Sequence, residues 1–366
     1  MYGAQLIEAL RRRHPSLEFF GVGGERMRAA GCDTVVDAND LAVVGITEIL
    51  SHLPKIYGLF HRLIAEADKR RPDLAVVIDS PAFNWRIARQ MFHRGIPVVY
   101  YVCPQFWAWR QGRVKLLRKY IAKALVIFPF EEKFYRDRGV DAEFVGHPLA
   151  ELPLPTVSRE QFAGENRLDP ARPWITLMPG SRRKEVAMNL PAMLEAATKL
   201  GPDYDFLLPV AATLDQRFLR ERIGGQSGIT LVQQALAALH HSRAGIIASG
   251  TATVEAALMN TPFVMVYRVS RLTYALGRSR VKVAHFAMVN LIAGERVVPE
   301  LVQNDFTAEN VAARVREILP GGPARRQMLE GLAGVRARLR SQAGAVAQPA
   351  AERAAEVILA RLAGKT

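Results

Sequence analysis

Trp174-Ile175-Thr176-Leu177-Met178-Pro179-Gly180-Ser181-Arg182-Arg183-Lys184-Glu185 decides how the rest of this 366-residue chain is read. An apolar run stops at Pro-Gly, and a serine and three cations then open a segment of helical spacing over 185–197. A strand turning tightly into a helix aims backbone N–H groups, a hydroxyl and guanidinium groups at one place. The unsatisfied N–H groups and dipole of a helix start favour an anion there, so the turn reads as a phosphate seat. It is not the G-x-x-x-x-G-K-[ST] pattern of a P-loop. An ordinary strand–turn–helix with exposed cations has the same local pattern, and the turn alone does not choose.

Outward from this turn, strand-like runs lie at 18–22, 74–78, 98–102, 124–127 and 143–145. After it come 206–209, 230–232, 245–248 and 263–267. Several are continuous β-branched runs, the mark of parallel strands buried on both faces. Amphipathic stretches such as 84–94, 188–200 and 253–259 alternate with them, which predicts an α/β protein with doubly wound parallel sheets. The Pro-rich, charged segment 148–173 reads as a linker between two such domains, and the Ala/Arg-rich tail as helical. The expected division is 1–165, 166–335 and a tail, 336–366, that packs back towards the first domain. A ligand belongs at the carboxyl ends of the strands, between the domains.

Bulk composition narrows the class. Hydrophobic residues make up 49% and charged residues 23%, which fits a globular rather than a disordered chain. The net charge of +14 implies an anionic partner: nucleic acid, a phosphorylated small molecule or an anionic membrane surface. Two cysteines, Cys32 and Cys103, make neither a disulfide framework nor a zinc site, and a reducing cytosol fits. The most apolar stretch, 96–109, is short and carries Pro97 and Pro104, so no membrane span is expected.

Five further constellations bear on chemistry. Ile247-Ala248-Ser249-Gly250-Thr251-Ala252-Thr253-Val254-Glu255 leaves an apolar strand and enters a helix; its small residues admit a ligand, and Glu255 suits ribose hydroxyls. A helix-capping box ending on Glu255 is the plainer reading. Val76-Val77-Ile78-Asp79-Ser80-Pro81 sets an acid just past a strand, either a general base or a helix cap. His147 in Val145-Gly146-His147-Pro148 marks another strand end, with a structural role equally open. Pro104 to Arg113 interleaves aromatics with cations, including Trp109 and Arg110; core, stacking surface and interfacial anchor all fit, and no nucleic-acid fold accompanies it. Finally, Ile46, Ile49, Leu50 and Leu53, then Ile56, Leu59, Phe60 and Leu63 after Pro54, recur at helical spacing. They form a core face or a surface for acyl chains or a bilayer.

Taken together, these pieces resemble the lipid-A-disaccharide synthase family, bacterial glycosyltransferases of the two-domain GT-B type (glycosyltransferase family 19). The motifs that carry the resemblance run in family order over nearly the whole chain. They are Gly21-Val-Gly-Gly24, Leu41-Ala-Val-Val-Gly45, Ile78-Asp79-Ser-Pro81, Trp107-Ala-Trp109-Arg110, Pro129-Phe-Glu131 and Val145-Gly-His147. Then come Leu177-Met-Pro-Gly-Ser-Arg182 with Glu185, Ser249-Gly-Thr-Ala252 with Glu255, Tyr267-Arg268, and Val289-Asn290-Leu-Ile-Ala-Gly294 with Val298-Pro-Glu300-Leu.

The resemblance implies condensation of UDP-diacylglucosamine (UDP-2,3-diacylglucosamine) with lipid X (2,3-diacylglucosamine 1-phosphate). Asp79 would be the catalytic base. Gly180, Ser181, Arg182, Glu185, Ser249, Gly250, Thr251, Glu255 and Asn290 would bind the UDP-sugar. His147, Trp109 and Arg110 would line the acceptor side, and Ile46, Ile49, Leu50, Leu53, Ile56, Leu59 and Phe60 would meet acyl chains and membrane. No metal or other cofactor is implied and no nucleic acid; a homodimer is compatible. The expected location is peripheral, on the cytoplasmic face of an anionic inner membrane. Another UDP-sugar GT-B protein, a peptidoglycan glycosyltransferase or a UDP-N-acetylglucosamine 2-epimerase, would share the nucleotide half without the Asp79 and Trp107–Arg110 combination. The family opens on a strand and a Gly-rich turn before its first helix, whereas this chain starts at Met1-Tyr-Gly3-Ala4-Gln-Leu6, inside that helix. The expectation is a first domain missing its first strand, with reduced stability and activity.

Overall fold

The computed structural model describes residues 1–41, 46–270, 273–274, 283–343 and 346–364; for 41, 46–53, 341–343 and 346–347 only the backbone is described. The chain forms two compact units, Met1–Pro148 with Arg340–Thr366, and Leu149–Leu339.

The second unit is built on a six-stranded parallel sheet. Its strands are β7 (Trp174–Met178), β8 (Asp205–Pro209), β9 (Ile229–Val232), β10 (Ala244–Ala248), β11 (Phe263–Tyr267) and β12 (Glu300–Val302), and the sheet order is β12-β11-β10-β7-β8-β9. From β7 the chain winds outward through β8 to β9, then returns to the other side of β7 and winds outward again. The reversal between β7 and β10 is a topological switch point, where open α/β sheets take ligands beyond the strand ends. Ile246 of β10 is in register with Leu177 on one side and Val264 on the other. All three are fully buried, which is why these strands read as unbroken apolar runs.

The first unit carries two smaller parallel sheets. One pairs β1 (Phe19–Gly23) with β2 (Cys32–Asp37); the other orders β3 (Ala75–Ile78), β4 (Val98–Tyr101), β5 (Lys123–Val126) and β6 (Ala142–Phe144) consecutively. Among the described residues β1 pairs only with β2, and β3 only with β4. A short antiparallel hairpin, β13 (Ser341–Ala343) with β14 (Val346–Gln348), precedes the last helix, Ala350–Ala363. That helix packs on the first, Tyr2–Arg13, where the ion pairs Arg12–Glu352 and Arg13–Glu356 line the contact, and Arg353 pairs with Glu143 of β6. Half-exposed pairs of this kind contribute little individually, so the buried seam of Ala350, Ala354, Ala355 and Ile358 carries the attachment.

All ten strands expected from the sequence are present. Four more were not legible: β2 carries two aspartates and a threonine, β12 is three residues long, and the three-residue strands β13 and β14 form a hairpin that interrupts the tail expected to be helical. The Pro-rich segment 148–173 is folded rather than a bare linker. Ser158 caps helix Arg159–Asn166 by accepting from the Gln161 N–H at 3.1 Å. Phe162 is then buried 5.8 Å from the Trp174 ring, and the Arg159 guanidinium lies 3.6 Å from that ring. Phe162→Ala should therefore cost about 3–5 kcal/mol of stability, as deletion of a buried aromatic does; urea denaturation checks it, and a loss under about 1 kcal/mol would mean that the helix is not part of this core.

Candidate active site

Both nucleotide-type turns of the second unit emerge at its switch point. After β7 the chain runs through Pro179 and Gly180 into helix Arg183–Leu200. Gly180 has φ +122°, and a Cβ there would meet Glu185 Cβ and Oε2 at 2.7 Å, so only glycine fits. Glu185 closes the turn. Its Oε2 accepts from the Ser181 and Arg182 N–H groups at 3.1 and 3.2 Å, and its Oε1 accepts from the Arg182 guanidinium at 2.7 Å. Thr213 donates to the Ser181 carbonyl at 2.5 Å, and buried Asn189 bridges the Pro179 carbonyl to the Arg268 N–H. The first N–H groups of the helix itself, on Arg183, Lys184 and Glu185, meet no protein acceptor among the described residues. They are the donors this turn leaves for an anion.

Beside it, β10 ends at Ala248, and Ser249 and Gly250 lead into helix Thr251–Leu258. Gly250, at φ +142°, has open space where a side chain would lie, so a ligand can approach the backbone there. The helix has no side-chain cap, and Glu255 does not form the capping box. The Glu255 carboxyl has no protein partner among the described residues, and its partial burial holds its pKa above the ordinary carboxylate value. Ser249 donates to the Phe286 carbonyl at 2.8 Å. The Phe286 and Ala287 N–H groups in turn donate to Glu300, and the Phe286 ring stacks 6.4 Å from Tyr267 at the end of β11. Burial, with Glu185 adding to it, raises the Tyr267 pKa, so a neutral phenol stands near the Pro179–Glu185 turn.

In the first unit, β3 ends at Asp79. Asp79 and Ser80 both have left-handed backbones, φ +49° and +41°. The Asp79 N–H donates to the Tyr101 carbonyl at 3.1 Å, and its own carbonyl accepts from Tyr100 Oη and Asn84 Nδ2, each at 2.7 Å. Ser80, not Asp79, occupies the N-cap of helix Pro81–His93, and makes no side-chain cap bond. The capping alternative is thereby removed: the Asp79 carboxylate is exposed and bonds no other described residue. Non-glycine residues in this backbone region are uncommon and cost about 1–3 kcal/mol each, and they concentrate at functional sites.

A sequence model of the lipid-A-disaccharide synthetase family matches residues 1–346. The chain belongs to this family. It is 55% identical to the lipid-A-disaccharide synthase of Koribacter versatilis over 98% of this chain and 94% of the relative. Identity to the synthase of Myxococcus xanthus is 44%, over 98% and 93%. Among solved structures, the kitacinnamycin glycotransferase aligns with TM-score 0.62 at 17% identity, covering 98% of this chain and 95% of that one. The UDP-GlcNAc 2-epimerase of Neisseria meningitidis aligns with TM-score 0.56 at 12% identity, covering 95% and 100%. These likenesses establish the shared GT-B fold, and the family match sets aside an epimerase or peptidoglycan enzyme.

Not every residue expected at the site reaches open space. Asn290 is fully buried: its amide donates to the Val298 carbonyl and Glu300 at 2.9 and 2.8 Å, and accepts from the Val297 and Val298 N–H groups, both at 2.9 Å. It fastens the loop before β12. His147 is buried 5.0 Å from the Phe128 ring, whereas Trp109 is half exposed with the Arg110 guanidinium 4.2 Å over its ring. Leu59 and Phe60 pack partly against the first unit's core, as a core face would, and Ile56 is half-buried. The side chains of Ile46, Ile49, Leu50 and Leu53 lie outside the described residues. Residues given no role from the sequence prove central to the frame: Tyr100 and Asn84 hold Asp79, and Phe286 links Ser249 to Glu300 and stacks near Tyr267. Their signal was proximity to a motif, Asn84 standing five places after Asp79.

Glu131 carries an unexpected charge balance. It is buried and accepts from Trp107 Nε1 at 2.8 Å and from the Ile127 and Phe128 N–H groups at 3.2 and 3.0 Å. Burial outweighs these bonds and raises its pKa from 4.5 to about 7, while burial pushes His147 down from 6.5 to about 4. Between about pH 4.5 and 6.5 the folded Glu131 keeps a proton that the unfolded chain releases, so its contribution to stability falls as pH rises. Folded His147 stays neutral while the unfolded residue is protonated, so its contribution rises. The two oppose one another. In Glu131→Gln, stability should therefore climb more steeply with pH over this window than in the parent chain, read from melting temperature against pH; parallel curves would show that Glu131 does not titrate there.

Proposed function

We propose that the chain joins UDP-2,3-diacylglucosamine to the 6-hydroxyl of 2,3-diacylglucosamine 1-phosphate, giving UDP and the β(1→6)-linked lipid A disaccharide 1-phosphate. Family membership carries the activity itself: the chain is a glycosyltransferase of lipid A disaccharide synthesis. The observation that carries the mechanism is Asp79, an exposed carboxylate that bonds no other described residue, in a backbone held by Tyr100 and Asn84.

An α-linked donor giving a β product inverts the anomeric carbon, so a single in-line displacement is the simplest course. Asp79 takes the proton of the acceptor 6-hydroxyl as its oxygen attacks C1. The bond from C1 to the UDP oxygen breaks, and its electron pair stays on the diphosphate. The N–H groups of Arg183, Lys184 and Glu185, the Ser181 hydroxyl and the Arg182 guanidinium stabilise that charge where it develops. Glu255 accepts from the ribose hydroxyls, while Ser249, Gly250 and Thr251 let the nucleotide approach the backbone closely. Trp109 and Arg110 meet the acceptor, with the guanidinium suited to its 1-phosphate.

Both substrates are lipids with anionic heads, so we also propose that the protein works peripherally on the cytoplasmic face of the inner membrane. No helix among the described residues is long and apolar enough to cross a membrane. The first half of helix Ile46–Arg70, with Ile46, Ile49, Leu50, Leu53 and Ile56, is the acyl-binding segment in this reading.

Asp79→Asn tests the mechanism cleanly, because asparagine tolerates the left-handed backbone that Asp79 occupies. Its kcat should fall roughly 10²–10⁴-fold with UDP affinity by calorimetry unchanged. Disaccharide formed by the variant at the parent rate would remove Asp79 as the base, and none formed by the parent chain from these two lipids would overturn the substrate assignment.

A further inference from the structure

Between Asp79 and Glu131 the chain contains no acidic residue over 51 positions, although its 35 acids spread evenly would place about five there. The same stretch holds nine Lys and Arg. It folds as helix Pro81–His93, β4, an aromatic loop, helix Val114–Tyr120 and β5. Two of the cations are paired, Arg94 with Asp68 and Lys123 with Asp141 and Glu143. None of the other seven makes an ion pair among the described residues, and all seven are exposed. Arg86 and Arg89 stand on the first helix, Arg110 and Arg113 on the loop, and Lys115, Arg118 and Lys119 on the second helix.

The two helices pack together, with Phe92 of one 5.5 Å from Tyr120 of the other. Aromatic rings lie among the cations: the Arg86 guanidinium is 5.0 Å over Trp85, and Lys119 Nζ is 5.3 Å over Tyr120. Phe92 and Trp109 are 46% and 49% exposed, which a face built only for water would not favour. Clustered unpaired cations that repel one another across neighbouring helices cost stability unless an anionic partner neutralises them. Cations on flexible stems interleaved with half-exposed aromatics suit the headgroup layer of an anionic bilayer, where amphipathic rings settle and each basic side chain adds attraction. Single-stranded nucleic acid would also use cations and rings. Here Trp85, Trp109 and Tyr120 each already have a cation over the ring and Phe92 meets Tyr120 edge-on, so each ring has a neighbour where a base would have to stack.

We propose that helices Pro81–His93 and Val114–Tyr120, with the loop between them, form an electrostatic docking face for anionic lipid headgroups. It is distinct from the apolar stripe of helix Ile46–Arg70 and begins immediately after Asp79. The proposal rests on the peripheral-membrane reading above and supplies the surface that the reading lacks. It also places the acceptor-binding pair Trp109 and Arg110 on the same acid-free stretch that meets the headgroups.

Co-sedimentation of the whole chain without sugar substrates tests this, using vesicles of phosphatidylcholine alone or mixed equally with phosphatidylglycerol. The parent chain should bind the mixed vesicles far better, and added salt should weaken that binding. The variant Arg86→Glu/Arg89→Glu/Lys115→Glu/Lys119→Glu should lose at least about tenfold in partitioning, with turnover on detergent-dispersed substrates retained. The milder Lys115→Gln/Lys119→Gln should fall between, which guards against a misfolded quadruple variant. Unchanged partitioning in both variants overturns the proposal in favour of docking through helix Ile46–Arg70 alone. Loss of dispersed-substrate turnover in step with vesicle binding overturns it in favour of a substrate subsite. Tighter binding to single-stranded RNA than to vesicles, abolished by the same charges, overturns it in favour of nucleic acid. Because vesicle binding is read without turnover, failure of disaccharide synthesis would count against the proposed function and not against this face.

Discussion

The ladder between β7 and β10 is the constraint on which the second unit depends. Each strand is buried on both faces and paired on both sides, so a slip of one residue would send every side chain of a strand to the opposite face of the sheet. Register is therefore fixed, and with it the point at which each strand stops. Met178 and Ala248 end side by side, Ile247 lying opposite Met178, and both nucleotide-type turns must leave from that spot. The contacts beyond the strand ends are secondary fastening: Glu185 ties down one turn, and Ser249, Phe286 and Glu300 tie the other to the loop before β12. The first unit repeats the logic on a smaller sheet, where a final bond from the Asp79 N–H to the Tyr101 carbonyl fixes where Asp79 stands.

Much of this was legible because parallel strands buried on both faces must be apolar throughout, and such runs stand out even without alternation. The Pro-Gly and Ser-Gly turns were legible for a related reason: backbone angles such as those of Gly180 and Gly250 admit little else. Burial of polar groups was not legible. Asn290 and Glu185 have the side chains of ligand contacts, yet in the fold one amide is consumed by four internal bonds and one carboxylate by the turn it closes. Sequence shows which groups can donate or accept, while only the fold shows which are already spoken for. The segment 148–173 was opaque because its prolines masked a single anchoring aromatic, Phe162, whose partner Trp174 lies in the next strand.

Backbone strain gathers at one edge of the first unit. Asp79, Ser80, Val102 and Arg110 all have positive φ, and Val102 is β-branched, the least tolerant kind of side chain there. These conformations persist because stronger neighbours dictate them. The Val102 N–H is held by the Leu125 carbonyl of β5, while Tyr135 donates to the Pro104 carbonyl and Trp107 to Glu131. Helix Pro129–Arg136 thus grips the loop that carries Trp109 and Arg110, leaving those two side chains exposed on a backbone with little freedom to rearrange. A loop so held presents its exposed side chains without first having to order, which lowers the entropic cost of meeting a ligand.

The two acids that bound the acid-free stretch show how environment, not residue type, assigns work. Glu131 is enclosed, raised towards neutrality by burial, and has both oxygens occupied by N–H donors, so it can neither reach a substrate hydroxyl nor take its proton. Its chemistry is spent on geometry. Asp79 has the opposite surroundings: its backbone N–H and carbonyl are fully engaged, while its carboxylate is exposed and bonds no other described residue. Fixing the main chain and freeing the side chain is what a general base requires, since the proton must arrive at a set position and find an empty lone pair. Of the nine cations between these acids, all but Arg94 and Lys123 make no ion pair among the described residues. An acid placed among them would have gained ion pairs and lowered the positive charge of the stretch that follows Asp79.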